Sequence, residues 1–60
     1  MAASMDVMDK IRQLLKSHGG AMHVDDIAKR LGLKRYVVQV NIMAMFRELG
    51  QRGRDTYYAK

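Results

Sequence analysis

The stretch VDDIAKRLGLKRYVVQVNIMAMFREL, residues 24–49, predicts two helices joined by a tight turn. Three apolar residues of its first part fall on one helical face: Ile27, Ala28 and Leu31. Gly32 is expected to end this helix, because glycine readily adopts the left-handed conformation that follows a helical C-terminus. The second run, residues 34–49, carries apolar residues at helical intervals: Val38, Ile42, Met45 and Leu49. Two helices with a glycine-containing turn between them predict a helix-turn-helix unit.

The segments on either side of this unit predict one further helix and a small sheet. Residues 5–17 predict the first helix, with Ser4 as its N-cap and a stripe of apolar side chains facing the core: Met5, Met8, Ile11 and Leu15. Residues 21–23 lie between two turn signals and permit a short strand, and residues 51–60 predict a tight hairpin. The expected fold class is therefore α+β and mainly helical, with three helices and a small β-hairpin.

Tyr57 and Tyr58 are adjacent on the second strand of the predicted hairpin. Neighbouring strand residues point to opposite faces of a sheet. One tyrosine ring is therefore expected to cover the core and the other to face solvent. The sequence leaves open which ring does which.

Length and composition limit the classes of function. Sixty residues predict a single domain, residues 1–60, with a small core, and residues 1–4 are expected to be disordered. Cysteine is absent, which excludes disulfides and favours an intracellular location, since a secreted domain of this size is usually cross-linked. No apolar run approaches the roughly 18 residues of a membrane span. The motifs of catalytic, metal and phosphate-loop sites are missing, so we expect no enzyme, no cofactor and no small-molecule substrate.

The chain is strongly basic. Eleven Lys and Arg residues against six acidic residues give a formal net charge of +5. Such an excess favours a nucleic acid or another polyanion as the partner. The alternative is a solvated basic surface on a protein-interaction domain, where the charge serves solubility.

The order of the motifs is similar to that of a known superfamily. The spacing I-A-x-x-L-G-L followed by V-x-x-x-I-x-x-M resembles the winged helix-turn-helix superfamily. The segment E-L-G-Q…G-R-D-T-Y-Y, within residues 48–58, resembles the wing of small bacterial repressors of the ArsR type, although it is shorter. The resemblance implies double-stranded DNA as the partner, with helix three in the major groove. The expected role is that of a transcriptional regulator or of the DNA-binding module of a larger protein.

The chain also resembles the Z-form nucleic-acid-binding domains in size and element order. Those domains pair an asparagine and a tyrosine on helix three with a wing that contains proline and tryptophan. Gln39 and Met43 stand at the two helix positions here, and the chain has neither proline nor tryptophan. Z-form binding is therefore a minor alternative.

The predicted DNA contacts are of two kinds. Contacts with phosphates supply affinity, whereas side chains on the outer face of helix three contact the base edges. We expect Arg35 to contact guanine, Gln39 to contact adenine, and Tyr36 to pack or to use its hydroxyl. The complete predicted set is Lys34, Arg35, Tyr36, Gln39, Met43, Arg47, Arg52 and Arg54.

The outer face of helix three is unusually apolar for a helix that contacts DNA bases. Four residues make it so: Val37, Val40, Met43 and Ala44. An outward apolar patch usually contacts a partner. The alternative function is therefore a protein interface, in a homodimer or with a larger protein, and RNA is a further alternative partner.

Overall fold

The computed structural model describes residues 3–60. Its helices are α1 (Met5–His18), α2 (Val24–Leu31) and α3 (Arg35–Ala44), and a 3-10 turn, Phe46–Glu48, follows α3. Its strands are β1 (Met22–His23), β2 (Leu49–Gln51) and β3 (Thr56–Ala59), which form an antiparallel sheet in the order β1-β3-β2. The predicted class, α+β and mainly helical with a β-hairpin, is confirmed. Within residues 3–60, none of the helices combines the length and the apolar character needed to cross a membrane.

Both ends of α1 are fixed by short-range interactions. The hydroxyl of Ser4 accepts a hydrogen bond from the backbone N–H of Val7 at 3.4 Å, which confirms the predicted N-cap. Gly19 follows the helix at φ +76°, a conformation that glycine adopts without strain. Of the four residues expected to be disordered, 1 and 2 lie outside the described part of the chain, whereas Ser4 is held by its capping hydrogen bond.

The turn between α2 and α3 has the predicted glycine conformation. Gly32 lies at φ +67°, and the N–H of Leu33 donates to the carbonyl of Ala28 at 2.9 Å. At the other end of α2, Nδ1 of His23 accepts from the N–H of Asp25 at 3.0 Å. Both hydrogen bonds satisfy backbone groups that a helix leaves unpaired at its ends. They set the position of α2 between β1 and α3.

Helix three is shorter than the sequence pattern predicted. The pattern extended it to Leu49, but α3 ends at Ala44 and Leu49 begins β2. Gly50, the glycine that directly follows the predicted helix, lies in β2 opposite Tyr58. The prediction was wrong because a strand at residues 49–51 pairs with β3, whereas a longer helix would leave that edge of β3 without hydrogen-bond partners.

The apolar positions that the sequence periodicity predicted to be buried are buried even beyond the end of α3. The four apolar positions of the second run are all buried: Val38, Ile42, Met45 and Leu49. They pack in one core with residues of α1, β1 and α2: Ile11, Leu15, Met22, Val24, Ile27 and Ala28. The prediction that Met5 faces the core was wrong. Met5 is the first residue of α1 and is 75% exposed, because none of the elements within residues 3–60 covers it.

The register of the sheet separates the two adjacent tyrosines. Tyr57 lies opposite Met22 on β1 and Gln51 on β2, while Tyr58 lies opposite Gly50. Directly opposite residues point to the same face of a sheet. Tyr57 therefore shares the core face with buried Met22, and it packs against the core. Tyr58 lies on the other face, over Gly50.

Asn41 is a buried polar residue that joins α1 to α3. The residue is 2% exposed, and both polar atoms of its side chain have hydrogen-bond partners. Oδ1 accepts from the N–H of Ser4 at 2.9 Å, and Nδ2 donates to the carbonyl of Val37 at 2.7 Å. Because a buried amide is stable only when it is hydrogen-bonded, this pair of contacts fixes the start of α1 against the middle of α3.

Candidate nucleic-acid interface

The outer face of α3 borders an open groove of about 430 Å³. The groove lies between α3 and the hairpin, and its walls include Tyr36, Gln39, Val40, Met43, Asp55 and Tyr57. Tyr36 is 48% exposed and Met43 is 74% exposed, which confirms that these two side chains face outward. Gln39 and Val40 are half-buried. The predicted face of helix three is therefore accessible, and it is largely apolar.

Arg35, the predicted guanine contact, is bound by two carboxylates. Its guanidinium lies 3.1 Å from Oδ1 of Asp25 and 2.9 Å from Oδ2 of Asp55. Asp25 begins α2 and Asp55 belongs to the hairpin turn, so Arg35 joins three segments. Asp55 adopts φ +57°, a conformation that Asp and Asn tolerate better than most residues. Two nearby carboxylates offset the positive charge that Arg35 would present to a phosphate or a base.

The remaining predicted cations lie at different places. Lys34 directly precedes α3 and Arg54 lies in the hairpin turn, so both adjoin the elements that form the groove. Arg47 is exposed in the 3-10 turn, beyond the end of α3, so the helical spacing that placed it on the outer face does not apply. Arg52 stacks on Tyr58, with its guanidinium carbon 5.3 Å from the ring centroid. It therefore lies on the face of the sheet that points away from the core.

The ion pairs leave most of the cations free. Within residues 3–60, five of the six acidic side chains pair with Lys10, Arg12 or Arg35, and only Asp26 has no such partner. Three of the eleven basic residues are thereby paired. The other eight are Lys16, Lys29, Arg30, Lys34, Arg47, Arg52, Arg54 and Lys60. The surface outside the ion pairs is therefore strongly positive.

The residues of the predicted protein interface are partly accessible. Ala44 is exposed, whereas Val37 is half-buried. Phe46, 64% exposed, is a large apolar residue that the sequence did not single out. The sequence did not reveal this exposure, because helix three was expected to continue to residue 49 and Phe46 was therefore placed within a helix.

Comparisons with protein-family models, with curated proteins and with solved structures find no match to this chain. The winged-helix resemblance of the sequence therefore stays a prediction. Inferences about function depend on the groove beside α3, on the unpaired cations and on the exposed apolar residues.

Proposed function

We propose that this chain binds double-stranded DNA, with α3 at the major groove and the hairpin turn against the adjacent backbone. The charge distribution carries this proposal. In the described part of the chain, eight basic residues have no carboxylate partner, whereas only one acidic residue has no Lys or Arg partner. Lys34 and Arg54 extend from the two segments that form the groove. Each cation that neutralises a phosphate releases condensed counterions, so contacts of this kind supply sequence-independent affinity.

Base recognition by α3 is expected to be weak. Arg35 is offset by two carboxylates, and Tyr36 and Gln39 are the remaining polar side chains of α3 at the groove. Val40 and Met43 offer apolar contact, of the kind that suits a thymine methyl group. The proposed role is therefore DNA binding with modest sequence preference, as a regulator or as a module of a larger protein.

Fluorescence anisotropy with a mixed-sequence duplex at two salt concentrations tests the proposal. Lys34→Ala or Arg54→Ala should weaken binding roughly three- to tenfold, and each should lower the slope of log K against log salt by about 1. Lys10→Ala is the matched control, because it removes the same charge from α1, where Lys10 lies 3.9 Å from Asp6. An RNA duplex of the same sequence, titrated in parallel, separates DNA from RNA binding. No duplex binding at low salt, or an equal loss in the control, contradicts the proposal.

A protein interface is a second candidate function, and the exposure of large apolar side chains favours it. Met43 and Phe46 are each more than half exposed, at 74% and 64%. Val40 and Met43 also line the same groove, and a contiguous apolar surface usually contacts a partner. Sedimentation equilibrium tests self-association: a dimer that Met43→Glu dissociates supports this function. If the protein is a monomer at every concentration and Met43→Glu abolishes DNA binding, the protein-interface function is contradicted.

A further inference from the structure

A second cleft lies between the C-terminal end of α1 and the sheet, and it shares no lining residue with the groove beside α3. Its volume is about 380 Å³, which is within the range of small-ligand sites. Three cations line it: Lys16, Arg52 and Lys60. No acidic side chain lines the cleft, and within residues 3–60 none of the three cations makes an ion pair. The nearest carboxylate that acts on these cations is that of Glu48, which interacts electrostatically with Lys16 but is paired with Arg12 and does not line the cleft. The lining of the cleft itself is therefore positively charged.

The balance of charge at this cleft favours an anion. Three like charges around one cleft repel one another, and an anion between them relieves that repulsion. The C-terminal end of α1 also borders the cleft, and a helix C-terminus disfavours anions. That end amounts to about half of one negative charge, against three full positive charges on the side chains. The cations therefore outweigh the helix end.

Tyr58 sets the position of Arg52. The guanidinium carbon of Arg52 lies 5.3 Å from the centroid of the Tyr58 ring, a distance typical of cation–π contact. The ring itself lies directly over Gly50, where a Cβ atom would come within 2.0 Å of Cζ of Tyr58. A guanidinium held over a ring by cation–π attraction still has N–H groups that can donate hydrogen bonds to a ligand. The planar edge of a guanidinium matches two oxygens of a phosphate group.

We propose that this cleft binds a phosphate group, with directional hydrogen bonds from Arg52 and additional charge from Lys16 and Lys60. A nucleotide and a nucleic-acid backbone both present such oxygens, so the chemistry of the site is common to the two sources. The site does not depend on DNA binding at α3, because the two clefts have no residue in common. Each of the two functions can therefore fail alone.

An NMR titration of the 60-residue chain with inorganic pyrophosphate tests the site, with ionic strength held constant by sodium chloride. Amide shifts should saturate and should centre on residues 15–21, 52 and 58–60. The double variant Lys16→Gln/Arg52→Gln should raise the Kd roughly five- to tenfold. The double variant Lys10→Gln/Lys29→Gln removes the same charge from residues that do not line the cleft, and it should change the Kd less than about twofold.

Three further measurements decide between the outcomes. Arg52→Lys keeps the charge but loses the planar edge, so weaker pyrophosphate binding by this folded variant supports the geometry. AMP and a short oligothymidylate, titrated separately, identify the source: the tighter ligand shows whether a nucleotide or a backbone phosphate is preferred. Shifts that do not saturate, shifts centred on α3, or equal weakening by both double variants overturn the site. DNA binding by the Lys34→Ala and Arg54→Ala variants is measured separately, by anisotropy. Failure of the phosphate site is therefore distinguishable from failure of the proposed DNA binding.

Discussion

Arg35 links the beginning of α2, the beginning of α3 and the hairpin turn through its contacts with Asp25 and Asp55. The side chain of Arg35 is 45% exposed, so solvent screens both ion pairs. Pairs of this kind contribute about 0.2–1 kcal/mol. We expect them to have a larger effect on the proposed DNA binding, because they hold the guanidinium of Arg35 against two carboxylates.

Asp55→Asn should therefore strengthen DNA binding, by roughly two- to fivefold, because it releases Arg35 from one carboxylate and removes a negative charge beside the groove. Asparagine tolerates the φ of +57° at this position, so the free energy of unfolding should fall by no more than about 1 kcal/mol. Anisotropy and urea unfolding measure the two effects. Asp9→Asn on α1 changes the net charge equally and is the control. Weaker binding by Asp55→Asn would contradict this role of the ion pair.

Tyr57 and Tyr58 should differ in their contribution to stability. Tyr57→Ala removes a ring packed on the core and should cost about 2–3 kcal/mol, whereas Tyr58→Ala should cost about 1 kcal/mol. A 60-residue domain has roughly 3–9 kcal/mol of stability, so Tyr57→Ala should leave it close to unfolding. Thermal melts of both variants measure the difference. Equal melting temperatures would show that the sheet face of Tyr57 does not contribute to the core as described.

At the scale of elements, a bidentate ion pair fixes the 3-10 turn against α1. Nε of Arg12 lies 2.7 Å from Oε1 of Glu48, and a terminal nitrogen lies 3.0 Å from Oε2. Asp9 also pairs with Arg12. Paired hydrogen bonds between a guanidinium and a carboxylate define direction as well as distance. This contact therefore sets the path of the chain between the end of α3 and the start of β2.

The hydrogen bonds from Arg12 hold the pKa of Glu48 below its ordinary value near 4.5. The folded chain therefore binds a proton at Glu48 less readily than the unfolded chain does. The stabilisation is present above the unfolded pKa and is lost as the pH falls from about 4.5 through the lower folded pKa. Glu48→Gln should flatten this part of the curve of unfolding free energy against pH, measured with urea. Asp26→Asn, at a residue without an ion pair in the described part of the chain, is the control, and an unchanged curve for Glu48→Gln contradicts the prediction.

At the scale of the whole molecule, the cleft beside α1 and the groove beside α3 are distinct surfaces that share no lining residue. The molecule measures 26 × 22 × 21 Å, while the Debye length is about 8 Å at physiological ionic strength. Surface charges farther apart than this length are largely screened from each other. The formal net charge of +5 therefore acts through local clusters of cations rather than as one uniform field.

Interactions between residues three or four positions apart determined much of this fold, and they could be predicted from the sequence. The Ser4 cap, the Gly32 turn and the outward positions of Tyr36 and Met43 depend only on helical periodicity and backbone conformation. The end of α3, in contrast, depends on pairing between β2 and β3. Phe46 lies in the 3-10 turn between α3 and β2, where it is 64% exposed.

The candidate site was predictable in its location but not in its charge. The lysines and arginines near helix three were evident from the sequence, yet the partners of Arg35 lie ten and twenty residues away, at Asp25 and Asp55. No local pattern specifies such a contact, because it forms only after the sheet brings the hairpin turn beside α2 and α3. The same holds for Arg52, which stacks on Tyr58 because β2 and β3 place Tyr58 over Gly50. Sequence periodicity thus determined most of the buried positions of the helices, with Met5 as an exception, because helical spacing is local. Strand pairing decided that Arg35 is ion-paired with the hairpin turn and that Arg52 lies over Tyr58, because these contacts join residues distant along the chain.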